Sequence, residues 1–289
     1  MSNPELLSTP TWPAGTRRML LVLAHPDDET LGFGGTIARY SAEGVEVHLV
    51  TATSGQKGWV GDPYRHPGEA ALGRIRRQEL RRAAAILGVR NVYFLGHTDG
   101  ELDEVDPEAI VTEIAAYIRD FRPDVVLTFG QDGLYGHPDH IAICQFTTAA
   151  VVAAANPGYR FLERLEPHQV SKLYYRAARA EYMAAYEGAF GELVMHVDDE
   201  ERRSPGWQNW VITTTVNAGA RWRQVWVAVR QHRSQLPFYE RLQSLPDERH
   251  RYLWGTQEFY RAMSVVNGGR EKETDLFAGV PAWALTAAA

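Results

Sequence analysis

The run Arg18-Met19-Leu20-Leu21-Val22-Leu23-Ala24-His25-Pro26-Asp27-Asp28-Glu29 decides how this chain is read. Its near-continuous apolar start is the pattern of a strand buried on both faces, as strands of parallel sheets are. A polar His-Pro-Asp-Asp-Glu segment follows at once. Thr30–Glu43 is then patterned as a helix that stops at Gly44. The same alternation continues downstream. Val45–Ala52 reads as a strand, Glu69–Leu87 as a helix, Val92–Leu95 as a strand and Pro107–Phe121 as a helix capped by Asp106, with proline at its first position. Asp124–Phe129 reads as a fourth strand and Pro138–Ala155 as a helix. Repeated strand–helix units imply right-handed crossovers and an α/β fold, a parallel sheet covered on both faces. The second half is less regular. Lys172–Tyr175 reads as a fifth strand, Leu193–Val197 or Val211–Thr215 as another, and Ala218–Gln231 and Thr256–Ser264 as helices. The simplest organisation is one α/β domain over 18–267 with a C-terminal elaboration, a leader over 1–17 and a tail over 268–289.

Composition narrows the chemistry. The chain has 289 residues, 10 histidines and a single cysteine. One cysteine forms no intrachain disulfide, Cys-rich zinc cluster or iron–sulfur site. A metal would have to be held by imidazole and carboxylate. A net charge of −6 gives no overall basic field to recruit nucleic acid. The sequence has no 18-residue apolar stretch of the kind that spans a membrane, and its start lacks the pattern of a signal peptide. The expected location is the cytoplasm.

Two segments carry chemistry. His25-Pro26-Asp27-Asp28-Glu29 follows the first strand, and Tyr135-Gly136-His137-Pro138-Asp139-His140 follows the fourth. In the common doubly wound order 3-2-1-4-5, the first and fourth strands are neighbours where the order reverses, and ligands bind at that point. Either segment alone is an ordinary turn. Together they offer His25, Asp27, Asp28, His137, Asp139 and His140 to one crevice. Catalytic zinc takes three protein ligands and keeps a position for water. His25, Asp28 and His140 make such a His₂Asp set, which suits zinc and also ferrous iron. Asp27, left unligated, could accept a proton from water whose pKa the metal lowers towards about 7. His137 could protonate a leaving amine or stabilise an oxyanion, and Tyr135 could donate a further hydrogen bond to it. This is the logic of metal-assisted amide hydrolysis.

At these residues the chain resembles the zinc-dependent N-deacetylases named after the LmbE and PIG-L proteins. The resemblance is close over Met19–Ala155 and weaker through Trp210–Thr213 and Gln231–Gln235. It implies a Rossmann-like, mostly parallel sheet with helices on both faces. It also implies removal of the acetyl group from an N-acetylglucosaminyl-type small molecule. By motif it puts the metal on His25, Asp28 and His140, the general base on Asp27, an electrophilic or acid role on His137, and oxyanion assistance on Tyr135. An Arg-x-x-Glu pattern, matched by Arg76-Arg77-Gln78-Glu79, makes Arg76 a candidate for sugar hydroxyls, with a solvated helix face as the alternative. An Asp-Gly after the third strand makes Asp99 a second substrate candidate, with a plain turn as the alternative. An amidase acting on a larger glucosaminyl conjugate and a non-catalytic sugar-binding relative are the competing readings.

The other features read more simply. Gly32, Gly34 and Gly35 lack the full dinucleotide fingerprint and suit close packing of a helix. Cys144 belongs to an apolar helix and reads as core. His97 and His232 are candidate neighbours of the crevice. Trp59 and Tyr64, in the loop Gly55–Gly68, could stack on a sugar. Trp222 and Trp226 lie on one helix face, as core or as the contact of a homo-oligomer.

Overall fold

In a computed structural model, which describes residues 15–281 apart from 160, 161, 163, 268 and 270, the opening apolar run is an interior strand of a seven-stranded sheet. The strands are β1 (Arg18–Leu23), β2 (Glu46–Thr53), β3 (Asn91–His97), β4 (Val125–Thr128), β5 (Lys172–Ala177), β6 (Met195–Val197), β7 (Glu200–Arg202), β8 (Thr214–Asn217) and β9 (Thr256–Ser264). Their order in the main sheet is β3-β2-β1-β4-β5-β9-β8. The first five are mutually parallel, and β9 runs antiparallel to both of its neighbours, β5 and β8. All six residues of β1 are buried, and Leu21 lies opposite Leu49 of β2 and Leu127 of β4. β6 and β7 form a separate ribbon whose turn residues, Asp198 and Asp199, sit at φ 53° and 63°. Two successive left-handed residues are what a two-residue hairpin turn needs to match strand twist.

The helices are α1 (Asp28–Leu31), α2 (Gly34–Ala42), α3 (Glu69–Leu87), α4 (Pro107–Phe121), the distorted turn α5 (Gly133–Gly136), α6 (Pro138–Ala155), α7 (Ala180–Phe190), α8 (Trp222–Val229), α9 (Leu236–Tyr239) and α10 (Asp247–Gly255). The helix expected over 30–43 starts earlier and breaks at Gly32–Phe33. The glycines at this break serve packing: a Cβ on Gly34 would meet Val225 Cγ1 of α8 at 2.7 Å. Phe33 fills the space beneath, against the rings of Phe129 and Phe259. Trp222 is buried and stacks on His250, so it belongs to the core. Cys144 is buried too, and burial pushes its thiol up to about 12, in keeping with a core residue. Among the described residues, no helix is long and apolar enough to cross a membrane.

Two expectations need correction. Thr256–Ser264 is a strand, inserted between β5 and β8. Gln257, Glu258 and Phe259 are all buried, so no period-two alternation marks it, and its Gln, Glu, Arg, Ala and Met favour helix locally. Pairing on both edges overrides that preference. The expected end of the folded unit at 267 also falls too early. Leu276, Phe277 and Val280 are buried, and the Glu273 carboxylate anchors this segment inside the fold. It accepts from Lys172 Nζ at 2.7 Å, Tyr174 Oη at 2.7 Å, Thr214 Oγ1 at 3.1 Å and Asn267 Nδ2 at 2.6 Å. Most of the proposed leader lies outside the described residues.

Lys172 is fully buried, and Glu273 is its ion-pair partner. Breaking a buried pair from one side leaves an uncompensated charge. Glu273→Ala should therefore lower stability by about 3–5 kcal/mol, read as a shift in the urea midpoint. A loss under about 1 kcal/mol would mean that the cluster does not hold the segment in place.

Candidate active site

The parallel neighbours β1 and β4 end side by side, and the chain turns out of each into a helix. After β1 the turn is sharp. Asp27 sits at φ 102°, and its carbonyl accepts the N–H groups of Thr30 and Leu31 to start α1. Few residues other than glycine hold such a φ. It sends the two adjacent carboxylates different ways. Asp28 turns to the histidines, with Oδ1 3.4 Å from His140 Nε2 and Oδ2 3.7 Å from His25 Nδ1. Asp27 turns to Arg76 Nη2, at 3.1 Å. After β4, Pro138 starts α6 and His137 caps it, its Nδ1 accepting the Asp139 N–H at 3.2 Å. Leu134, at φ 70°, kinks the turn before it.

His25, Asp28 and His140 each present a ligand atom within 4.8 Å of the others, and all three are buried. The remaining ring nitrogens settle which atoms face inward. His25 Nε2 donates to Asp139 Oδ2 at 2.9 Å and lies 3.1 Å from Asp99 Oδ1, which leaves Nδ1 for a cation. His140 Nδ1 donates to the Gly133 carbonyl at 3.2 Å, which leaves Nε2, 3.3 Å from His25 Nδ1. Outer-shell acceptors of this kind hold metal-binding histidines in the right tautomer. Two imidazole nitrogens and a carboxylate oxygen are a donor set that suits zinc or ferrous iron. His25, His137 and Asp139 form a second such cluster. It fits a cation poorly, because the Asp139 oxygens already accept the N–H groups of Gly100 and Leu102 and the His25 ring.

Burial and close charges shape the electrostatics of these groups. Burial opposes the charge on His25, but Asp139, Asp99 and Asp28 outweigh it and raise its pKa to about 10. Burial would raise Asp28, yet His140 and His25 hold it down at about 2. Burial, with His140 and His25 nearby, pushes His137 down to about 3. Burial and the neighbouring carboxylates of Asp28 and Asp27 push the Tyr135 hydroxyl well above its ordinary range. Tyr135 and His137 are thus neutral groups at neutral pH. Since His137 Nδ1 accepts a backbone N–H, its proton sits on Nε2.

These residues line a cavity of about 240 Å³. His25, Asp27, Asp28, Arg76, Asp99 and Gln235 contribute its polar side, and Leu31, Leu134, Tyr186 and Leu193 are among its apolar lining. Arg76 is 4% exposed, which rules out the solvated helix face. Its guanidinium donates to the Pro26 and Gly55 carbonyls and to Asp27. Asp99 is more than a turn former: it accepts the Lys57 N–H at 2.9 Å and meets the His25 ring.

His97 does not reach the cavity and lies 3.8 Å from Glu113. Gly58 and Val60 are what the loop 55–68 adds to the cavity lining. Tyr64 is 99% exposed, and Trp59 Nε1 donates to the Asp62 carbonyl. The sequence places Asp139 among the crevice residues but gives it no role, because an acid after proline at a helix start looks like a cap. Glu29 was not singled out, and His232 only as a neighbour. The two pair in full burial at 2.7 Å. Glu79, from the Arg-x-x-Glu pattern, accepts both the N–H and the hydroxyl of Ser234.

The family model described as PIG-L, GlcNAc-PI de-N-acetylase, matches residues 20–151. A 1D-myo-inositol 2-acetamido-2-deoxy-alpha-D-glucopyranoside deacetylase of Rhodococcus opacus is 42% identical over 197 residues, 61% of this chain and 67% of that protein. One from Thermobifida fusca is 35% identical over 244 residues, covering 76% and 84%. A conserved protein of Thermus thermophilus has a similar structure, with a TM-score of 0.61, 25% identity, and coverage of 86% of this chain and 96% of that one.

Asp139→Asn would set an amide against donors that need an acceptor and release the His25 tautomer. Metal affinity should fall by about 10–100-fold, measured by competition with a chromogenic chelator, with the fold intact by circular dichroism. Unchanged affinity would show that Asp139 does not orient His25.

Proposed function

This chain belongs to the PIG-L family of de-N-acetylases, and we propose that it hydrolyses the acetamide of an N-acetylglucosaminyl small molecule, with zinc as the resident metal. One observation carries the reading: His25 Nδ1, His140 Nε2 and the Asp28 carboxylate converge beside a separate carboxylate, Asp27, that lines the same cavity. When bound, a divalent ion supplies Lewis acidity towards a carbonyl and lowers the pKa of water. The protein's own groups do the rest. Asp27, oriented by Arg76, takes the proton of the attacking water. As the carbonyl carbon becomes tetrahedral, Tyr135 Oη–H and His137 Nε2–H donate to its oxygen. Asp27, now a carboxylic acid, returns the proton to the departing amine. Its backbone φ, which turns it away from Asp28, is what leaves it unligated for that work.

The lining of the cavity supports the substrate class. Arg76, Asp99 and Gln235 are placed to meet sugar hydroxyls, and Leu134, Tyr186 and Leu193 suit a methyl group. The names of the relatives make a glucosaminyl inositol the first substrate to test. A neutral small molecule and a single, buried thiol suit an enzyme of the cytoplasm.

A panel of N-acetylglucosaminides, scored for free amine with and without chelator, tests the reading. Asp27→Asn should keep its metal and lose about 10²–10⁴-fold in kcat. His140→Ala should lose the metal itself, by elemental analysis. Acetate release by Asp27→Asn at the wild-type rate would remove Asp27 as base. Release of only larger acyl groups would identify an amidase instead.

A further inference from the structure

We propose that Glu29 and His232 form a buried positioning pair that sets the backbone of Asp27 and so aims the base. The inference rests on the reading of Asp27 as the base, and neither residue of the pair lines the cavity. Glu29 Oε2 accepts the Asp27 N–H at 3.0 Å, at the residue whose φ of 102° an L side chain rarely adopts. Glu29 Oε1 is 2.7 Å from His232 Nε2. Both side chains are fully buried, 203 residues apart in sequence. His232 Nδ1 is buried with no hydrogen-bond partner among the described residues, which puts the ring proton on Nε2, facing Glu29. A carboxylate removed from water needs such a donor. With both oxygens engaged, Glu29 cannot swing away from the Asp27 N–H.

The segment that delivers His232 is itself held at two further points. Ser234 donates twice to Glu79, on α3 with Arg76 one turn earlier. Gln235 Nε2 donates to the Gly58 carbonyl at 2.8 Å, in the loop whose Gly55 carbonyl Arg76 also binds. Asp27 is therefore gripped twice from helix α3. Arg76 takes its carboxylate directly, and Glu79 acts through Ser234, His232 and Glu29 on its N–H. The second grip uses a part of the chain far outside the two metal-bearing motifs.

The test compares His232→Gln, whose amide donor reaches as far as Nε2, with His232→Leu, which has none. Expected for the leucine variant is a fall of about 10–100-fold in kcat, with KM within about threefold and metal content unchanged. The glutamine variant should return to within about threefold of wild type. Amide exchange of the peptide spanning 24–31 should speed up in the leucine variant and not in the glutamine variant. If the leucine variant does not fold, His232→Asn, too short to reach Glu29, takes its place in the same comparison. Wild-type kcat in the leucine or asparagine variant, or a loss that follows metal content, would overturn the proposal. A wild-type protein that releases no acetate from any N-acetylglucosaminide would instead overturn the functional reading. Unaltered exchange would then still overturn the pair on its own.

Discussion

One carboxylate ties the site together. Asp139, fully buried, takes the His25 Nε2–H on one oxygen and the N–H groups of Gly100 and Leu102 across both. Those contacts join the chain after β1, the chain after β3 and the start of α6. A buried carboxylate without such donors would cost several kcal/mol or take up a proton. Three strand ends are thus fixed by a single demand for hydrogen bonds. The tautomer of His25, and with it the nitrogen left to face Asp28 and His140, follows from the same contact.

Around it the charges are divided by direction. Asp28, Asp99 and Asp139 face His25, while Asp27 faces Arg76. So many carboxylates would repel one another in low dielectric without cations between them. The buried histidines and one arginine supply that balance, and a divalent ion would add to it. Arg76 belongs to this balance. It is buried, and it spans the Pro26 carbonyl, the Gly55 carbonyl and the Asp27 carboxylate. Because it also lines the cavity, one guanidinium both holds the Asp27 carboxylate and borders the pocket.

Local sequence served well wherever a feature depends on neighbouring residues. The five parallel strands were readable as apolar runs between turn residues, α3 and α4 from their patterning and end residues, and α6 as a long apolar run opened by Pro138. The crevice was readable too, because the ends of β1 and β4 meet in any sheet of this order. It failed for Thr256–Ser264, whose place between two strands hides the alternation that would mark it. It also failed beyond 267, where a short polar stretch is buried through the single carboxylate of Glu273. Asp139 and Glu29 belong to the two motifs, but their partners lie 114 and 203 residues away.

What the sequence alone determined is the inventory and its ordering: imidazole and carboxylate instead of thiolate, two short motifs, and parallel strands that bring them together. Residue type and spacing settle these, because strand periodicity and crossover handedness are local properties of the chain. Tertiary structure decided the direction of each group. It turned Asp27 away from Asp28 through a left-handed φ, turned Nδ1 of His25 and Nε2 of His140 towards each other, and drew His232 against Glu29. Those choices depend on which buried donor meets which buried acceptor. That is settled only once distant segments are packed together and water is excluded from between them.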